Sequence, residues 1–215
     1  MINSQIFLKK LCLMSFGVAL MMVLVDTARA DEQVTRRHTF ELDDIDTVVF
    51  SNNVGRFEIV PTDNQEMRIT VDIEASERGF FRRSVDVDDM DIRVKERGDT
   101  LYLSFDEKHA SAEWLVEMPV VARTSVEMGV GEVRLEIGAT ELDVELGVGD
   151  IDVYAPENAV GRIDLDVGAG DAKVRGGEVI RKDSTFISES IRAEGKGSNR
   201  MNVEVGVGDI SVRLN

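Results

Sequence analysis

The 215-residue chain carries 41 Asp and Glu against 25 Lys and Arg, a formal charge of −16, with 43% apolar residues and a single cysteine. A surplus of negative charge on this scale opposes nucleic acid and anionic membrane surfaces and favours cations, basic partners and solubility. The length suits one domain or an elongated repeat array.

Residues 1–30 read as a targeting segment. Lys9 and Lys10 form a positive n-region, Leu11 to Val25 is an almost unbroken apolar run, and Ala28-Arg29-Ala30 is a small-x-small cleavage signature ahead of Asp31. A membrane anchor is the rival, but this run is shorter than the roughly 20 residues a helical span needs. Cys12 lies at the start of the run, before any cleavage point, and so does not fit a lipoprotein anchor. The expectation is a cleaved signal peptide, a periplasmic or extracellular protein, and no stable membrane insertion afterwards. Cleavage removes Lys9, Lys10, Arg29 and Asp26, leaving 22 basic against 40 acidic side chains and no cysteine. Disulfides then play no part, although the compartment would preserve them.

From Asp31 onward, period-2 alternation dominates. Phe40-x-Leu42, Val48-x-Phe50, Phe57-x-Ile59, Met67 to Ile73, Val85-x-Val87, Met90 to Val94 and Leu101 to Phe105 read as strands with one buried face. Pro61 to Asn64, Glu77-Arg78-Gly79 and Arg97-Gly98-Asp99 are turn signals between them.

A glycine corner then recurs: Gly129-Val130-Gly131-Glu132, Gly147-Val148-Gly149-Asp150, Gly168-Ala169-Gly170-Asp171 and Gly206-Val207-Gly208-Asp209, with a glycine-poor cousin at Ser188 to Ile191. Before the second glycine the apolar residues sit one, three and often five positions back, as in Val126, Met128 and Val130. After it they sit two and four positions on, as in Val133 and Leu135. A straight strand would expose its second half after this slip. A bend or bulge at the glycine is expected to return every apolar residue to the interior. Gly131, Gly149, Gly170, Glu189 and Gly208 are spaced 18, 21, 19 and 19 residues apart. That spacing fits coils that bury apolar edges only by stacking on neighbours. Weaker copies occur at Val54-Gly55-Arg56-Phe57 and Val87-Asp88-Asp89-Met90. The expectation is an all-β, right-handed parallel β-helix or β-solenoid, with irregular rungs over 31–121 and regular rungs over 122–215. A separate small sandwich over Asp31 to Asp106 is the alternative.

Trp114-Leu115-Val116-Glu117-Met118-Pro119, followed by Ser125 to Val133, resembles the bacterial "putative adhesin" or toastrack domain of unknown function. In that family an apolar strand ending in proline leads into repeated Gly-Asp rungs. The resemblance covers about Asp44 to Asn215 and implies an extracytoplasmic β-solenoid with no catalytic residues to carry over.

Stacking in chain order places acids in columns: Glu127, Glu145, Asp166, Thr185 and Glu204 before the corner, and Glu132, Asp150, Asp171, Ser190 and Asp209 after it. These columns are candidates to collect Ca²⁺ or a polycation, because hard divalent cations take several carboxylate or carbonyl oxygens. The structural reading is that post-glycine acids hydrogen-bond corner amides and that charged faces discourage aggregation. The nonapeptide calcium repeat does not fit, since it needs Gly-Gly-x-Gly-x-Asp at a nine-residue period. Phe80, Phe81, Arg82 and Arg83 combine aromatic and basic character in one loop and are the partner-docking candidates. His38 and His109 read as exposed loop residues, without a serine elbow or metal-binding histidine partner. The last rung, Ile210 to Asn215, reads as an open edge, hence a place for end-to-end self-association.

These features together point to a non-enzymatic exported binding or scaffold module of the cell envelope, meeting an envelope protein or surface glycan, with no cofactor unless Ca²⁺. The alternatives are a carbohydrate-active enzyme on a β-helix and an accessory or sensor component of an envelope-stress system.

Overall fold

In the computed structural model, the described residues are 33–75, 86–184 and 187–215. The expected signal peptide, the docking candidates Phe80, Phe81, Arg82 and Arg83, and Thr185 lie outside them. The strands in chain order are β1 (Gln33–Glu41), β2 (Thr47–Pro61), β3 (Glu66–Ala75), β4 (Arg93–Arg97), β5 (Thr100–Phe105), β6 (Ala110–Met118), β7 (Arg123–Glu136), β8 (Glu141–Ala155), β9 (Val160–Ala169), β10 (Ala172–Arg175), β11 (Glu178–Ser184), β12 (Glu189–Glu194), β13 (Asn199–Val207) and β14 (Ile210–Leu214). Among the described residues no helix is long and apolar enough to cross a membrane.

Five rungs cross one corner line. β2, β7 and β8 are long, parallel and in register, and they turn at Gly55, Gly131 and Gly149, where φ is 140°, 147° and 136°. Two more rungs are each split in two by the corner: β13 and β14 about Gly208, and β9 and β10 about Gly170. The first arm of the sheet runs β4-β5-β2-β7-β8-β13-β9-β12-β11, and the second runs β1-β3-β6-β2-β7-β8-β14-β10. The predicted phase slip lines the space between the arms. Val126 and Met128 are buried before the corner and Val133 and Leu135 after it; Val144 and Leu146 are matched by Ile151 and Val153.

The interior is aliphatic along most of the stack and aromatic near its β5–β6 end. There Phe50, Phe57 and Trp114 meet with ring centroids 5.0, 5.9 and 6.3 Å apart. Beside them Asn52 occupies the interior position that Met128 and Leu146 hold in the next rungs, and its amide donates to Ala112 O at 3.1 Å. The chain breaks between β5 and β6 at this level, so the asparagine serves a carbonyl that an unbroken neighbouring rung would have served.

Several expectations need correction. The corners do not stack in chain order: the spatial sequence is Gly55, Gly131, Gly149, Gly208, Gly170, because β13 and β14 lie between β8 and the β9–β10 rung. Ser188 to Ile191 is no corner, since β12 runs antiparallel to both β9 and β11. The architecture is therefore an all-β, mixed sheet folded along one line, with parallel rungs at its centre and antiparallel strands at three of its margins, β10 at the fourth being parallel to β14. Ile210 to Leu214 is paired on both edges, by β8 and β10, so the self-association expected there finds no open edge. Val87 to Ile92 forms a turn-containing cover and not a rung. Val87 and Ile92 are buried, Arg36 Nε donates to Met90 O at 2.9 Å, and Arg36 also donates to Asp88 O. His38 sits in β1, half-buried, with Nε2 2.8 Å from Asp91 Oδ1.

The valine just before the second glycine also departs from expectation. Val54, Val130, Val148 and Val207 are 36–52% exposed. The interior angle is filled by the flanking residues, such as Leu146 and Ile151, so the apex of the bend has no inside for a side chain to enter.

Candidate functional site

The Gly-x-Gly pair has two jobs, both set by how closely rungs approach. A Cβ at Gly149 would fall 1.7 Å from Gly131 O, and one at Gly208 would fall 1.7 Å from Gly149 O. The first glycine of each pair is tight as well: a Cβ at Gly147 would fall 2.5 Å from Gly129 O. The outer surface at the corner is consequently a strip of bare backbone, and the side chains bordering it define what a partner would meet.

On one border lie Glu132, Asp150, Asp209 and Asp171, consecutive in space. Asp150 Oδ1 accepts the Asp209 amide at 3.0 Å, and Asp209 Oδ1 accepts the Asp171 amide at 2.9 Å. Glu132 accepts from Arg56 Nη2 at 2.8 Å. Two of these acids thus serve backbone groups that the corner removes from the regular ladder. Asp171 contributes only its backbone amide to this chain of contacts, and its carboxylate has no partner among the described residues.

On the other border lie Glu127, Glu145, Glu204 and Asp166, again in consecutive register. In chain order Thr185 would have interrupted this column; insertion of β13 between β8 and β9 instead produces four adjacent carboxylates. Among the described residues Glu127, Glu145 and Asp166 have no hydrogen-bond or ion-pair partner, and Glu204 accepts only from the Asn202 amide at 3.3 Å. Neighbouring strands lie about 4.8 Å apart, so each adjacent pair repels by about 0.9 kcal/mol in bulk water. The row and the glycine strip line an open groove of about 690 Å³, bounded by Ser51 and Asn53 at one end and Ser188 and Ser190 at the other. The acids form a line and do not converge. Among the described residues no group of three or more His, Cys, Asp or Glu is placed to hold one metal ion.

Farther from the corner two acids are neutralised locally. Asp164 accepts from Arg162 Nε at 2.6 Å and Arg192 Nε at 2.7 Å. Burial pushes its carboxyl upward, but the two guanidinium groups together outweigh that and hold it below the usual carboxylate range. Glu157 is lowered by its hydrogen bond from Lys196. On the second arm, Tyr154 lies between Arg134 and Arg213, whose guanidinium carbons are 5.1 and 5.0 Å from the ring centre. The exposed valines of the corner were not predicted from sequence, nor was the buried Asn52. The period-2 pattern places the valines on the inward phase with Val126 and Met128.

The fold and this surface define a class: an all-β domain of cornered parallel rungs with an acidic row, free of ion pairs among the described residues, beside a glycine strip. No protein-family model and no curated protein matches the sequence. The chain is similar in fold to a crystal structure of a "putative cell adhesion protein" from Clostridium sporogenes, with a TM-score of 0.52 at 14% identity over 85% of this chain and 100% of that one. A "putative adhesin" from Bacteroides fragilis aligns over 83% of this chain and 97% of its own, with a TM-score of 0.34 and 12% identity.

Proposed function

We propose that this is an exported, non-enzymatic, adhesin-like module of toastrack type in the bacterial envelope, and that it takes a cationic partner on the row Glu127, Glu145, Glu204 and Asp166. The observation that supports this is the contrast between two rows built from the same repeat. Three of the four post-glycine acids are committed, Asp150 and Asp209 to backbone amides and Glu132 to Arg56, whereas three of the four acids in this row have no partner among the described residues. A line of like charges destabilises the fold slightly, and a bound polycation relieves that repulsion along its whole length. The cell-adhesion description of the Clostridium protein agrees with a binding role.

The test is binding of poly-lysine by calorimetry at low salt, with Ca²⁺ measured in parallel. Poly-lysine is expected to bind the native protein and to bind the variant Glu127→Gln, Glu145→Gln, Glu204→Gln at least about tenfold more weakly. Unchanged binding by that variant refutes the reading. Heat and a melting shift with millimolar Ca²⁺ alone would make the row a metal site instead. Hydrolysis of a polysaccharide, lost on changing a carboxylate pair, would replace the binding module by an enzyme.

A further inference from the structure

The outer face of the first arm is divided by charge. At its β4 margin, the antiparallel register with β5 sets Arg93, Lys95 and Arg97 opposite Ser104, Tyr102 and Thr100. The alternate β5 residues, Leu101, Leu103 and Phe105, are buried, so the three cations point outward. Every residue of β4 is exposed, and its other edge has no strand partner among the described residues. Arg93 pairs with Asp106 at 2.9 Å, while Lys95 and Arg97 make no ion pair among the described residues. Tyr102, 40% exposed, lies beside Lys95.

The same outward row continues from Arg93 through Ser104 and Ser51 to Glu127, Glu145, Glu204 and Asp166. Between the cationic and anionic parts, β2 offers Thr47, Val49 and Ser51, which carry no charge. Alternate residues of a strand are about 6.7 Å apart, so the three cations span about 13 Å, and four carboxylates on adjacent strands span about 14 Å.

Farther from the corner on the same face, Arg123 is paired with Glu141 and Arg162 and Arg192 with Asp164, so the surplus negative charge lies in the row beside the glycine strip. A face with the β4 cations at one side, the uncharged β2 residues between and this acidic row beyond is complementary to itself after a half-turn. We infer that two copies of this chain associate through this face as a two-fold dimer, with Lys95 and Arg97 of each copy lying on Glu127, Glu145, Glu204 and Asp166 of the other. Both contacts form at once, because an isologous interface repeats every pairing. The glycine strip lets Tyr102 approach the partner's backbone beside the acidic row, and Val130 and Val148 supply an apolar margin there. The inference rests on the cationic-partner reading of the row and names that partner as a second copy.

The experiment is sedimentation velocity over a concentration series, at about 50 mM and about 500 mM salt. Dimer is expected at the lower salt, with dissociation at least about tenfold easier at the higher. Lys95→Glu with Arg97→Glu, and separately Glu145→Lys with Glu204→Lys, should each give monomer. Mixing the two variants should restore a heterodimer, because each reversed half then meets its opposite; that recovery also shows that both variants are folded. A native protein that stays monomeric, variants that still dimerise, or a mixture that does not recover would each overturn the dimer. Poly-lysine binding separates the two ideas. A monomeric native protein that binds poly-lysine through the row refutes only the second copy as partner. Poly-lysine binding indifferent to the row refutes the underlying reading.

Discussion

Replacing Gly149 by alanine measures how much of the stability depends on close rung stacking. The new Cβ would lie 1.7 Å from Gly131 O and 2.8 Å from Gly131 C, at φ 136°. Carbon–oxygen contacts settle near about 3.3 Å, so the two rungs would have to part by about 1.6 Å, which breaks the hydrogen bonds between them. Backbone strain of about 1–3 kcal/mol adds to an overpacking cost of about 1–3 kcal/mol, giving about 4 kcal/mol as a central value. Gly98 is the internal control. It too has positive φ, 63°, but a Cβ there meets nothing within 4 Å. Gly98→Ala should therefore cost only the left-handed backbone term, about 1–2 kcal/mol. For a domain of this size about 1 kcal/mol moves the melting temperature by about 2–4 °C. Thermal and urea unfolding should then separate the two variants by about 8 °C, with the midpoint moving and the urea slope unchanged. Equal losses for Gly98→Ala and Gly149→Ala would refute close stacking as the reason for the corner glycine.

Three further outcomes follow from the same geometry. Asp209→Ala, which strips the acceptor from the Asp171 amide, should lower stability by about 0.5–1.5 kcal/mol in urea melts, whereas Asp209→Asn, which keeps an oxygen at that position, should lose less. The variant Glu127→Gln, Glu145→Gln, Glu204→Gln should melt higher than the native protein at low salt, by the repulsion of up to three adjacent pairs at about 0.9 kcal/mol each. That advantage should shrink by 0.5 M salt, and a salt-independent difference would assign it to something other than charge. Asp164 titrates below the usual carboxylate range in the folded protein. Its ion pairs therefore contribute fully above the unfolded value, about pH 4, and are lost as pH falls through the depressed folded value. Asp164→Asn should flatten the acid limb of the stability curve in that window and leave its shape near pH 7 unchanged.

The local geometry of the corner was legible in the sequence because each copy states it independently. Gly131, Gly149, Gly170 and Gly208 all turn where the apolar phase slips, and the weaker copy at Gly55 turns as well. The order of the rungs was not legible, for a physical reason. Val144-x-Leu146, Val203-x-Val205 and Leu165-x-Val167 are nearly interchangeable in-register neighbours, so alternation specifies register and face but not which rung lies next to which. The acidic columns inherited that ambiguity: the row is continuous only because Glu204 lies between Glu145 and Asp166, an order that alternation does not specify. Glu189 was taken for a corner because Ile191 and Ala193 follow it at the correct phase. An antiparallel strand has the same period of two, and here the missing glycines were the more informative signal. Val87 and Ile92 are buried as their hydrophobicity required, yet Asp88 and Asp89 form a turn where a rung would need glycine.

The position of β13 and β14 also sets a timetable. An ordinary repeat stack can add each coil to the one made before it, so structure can grow in the order in which chain becomes available. Here β8 cannot acquire its neighbour on the side away from β7 until Asn199 to Leu214 are present, and until then β9, paired only with β12, has no strand joining it to the stack and β10 has no strand partner. Three rungs must therefore close together, around strands that arrive last. Long-range closure of this kind slows folding and ties distant segments into one cooperative event. The central joint of the stack is consequently completed only when its final strands have been delivered.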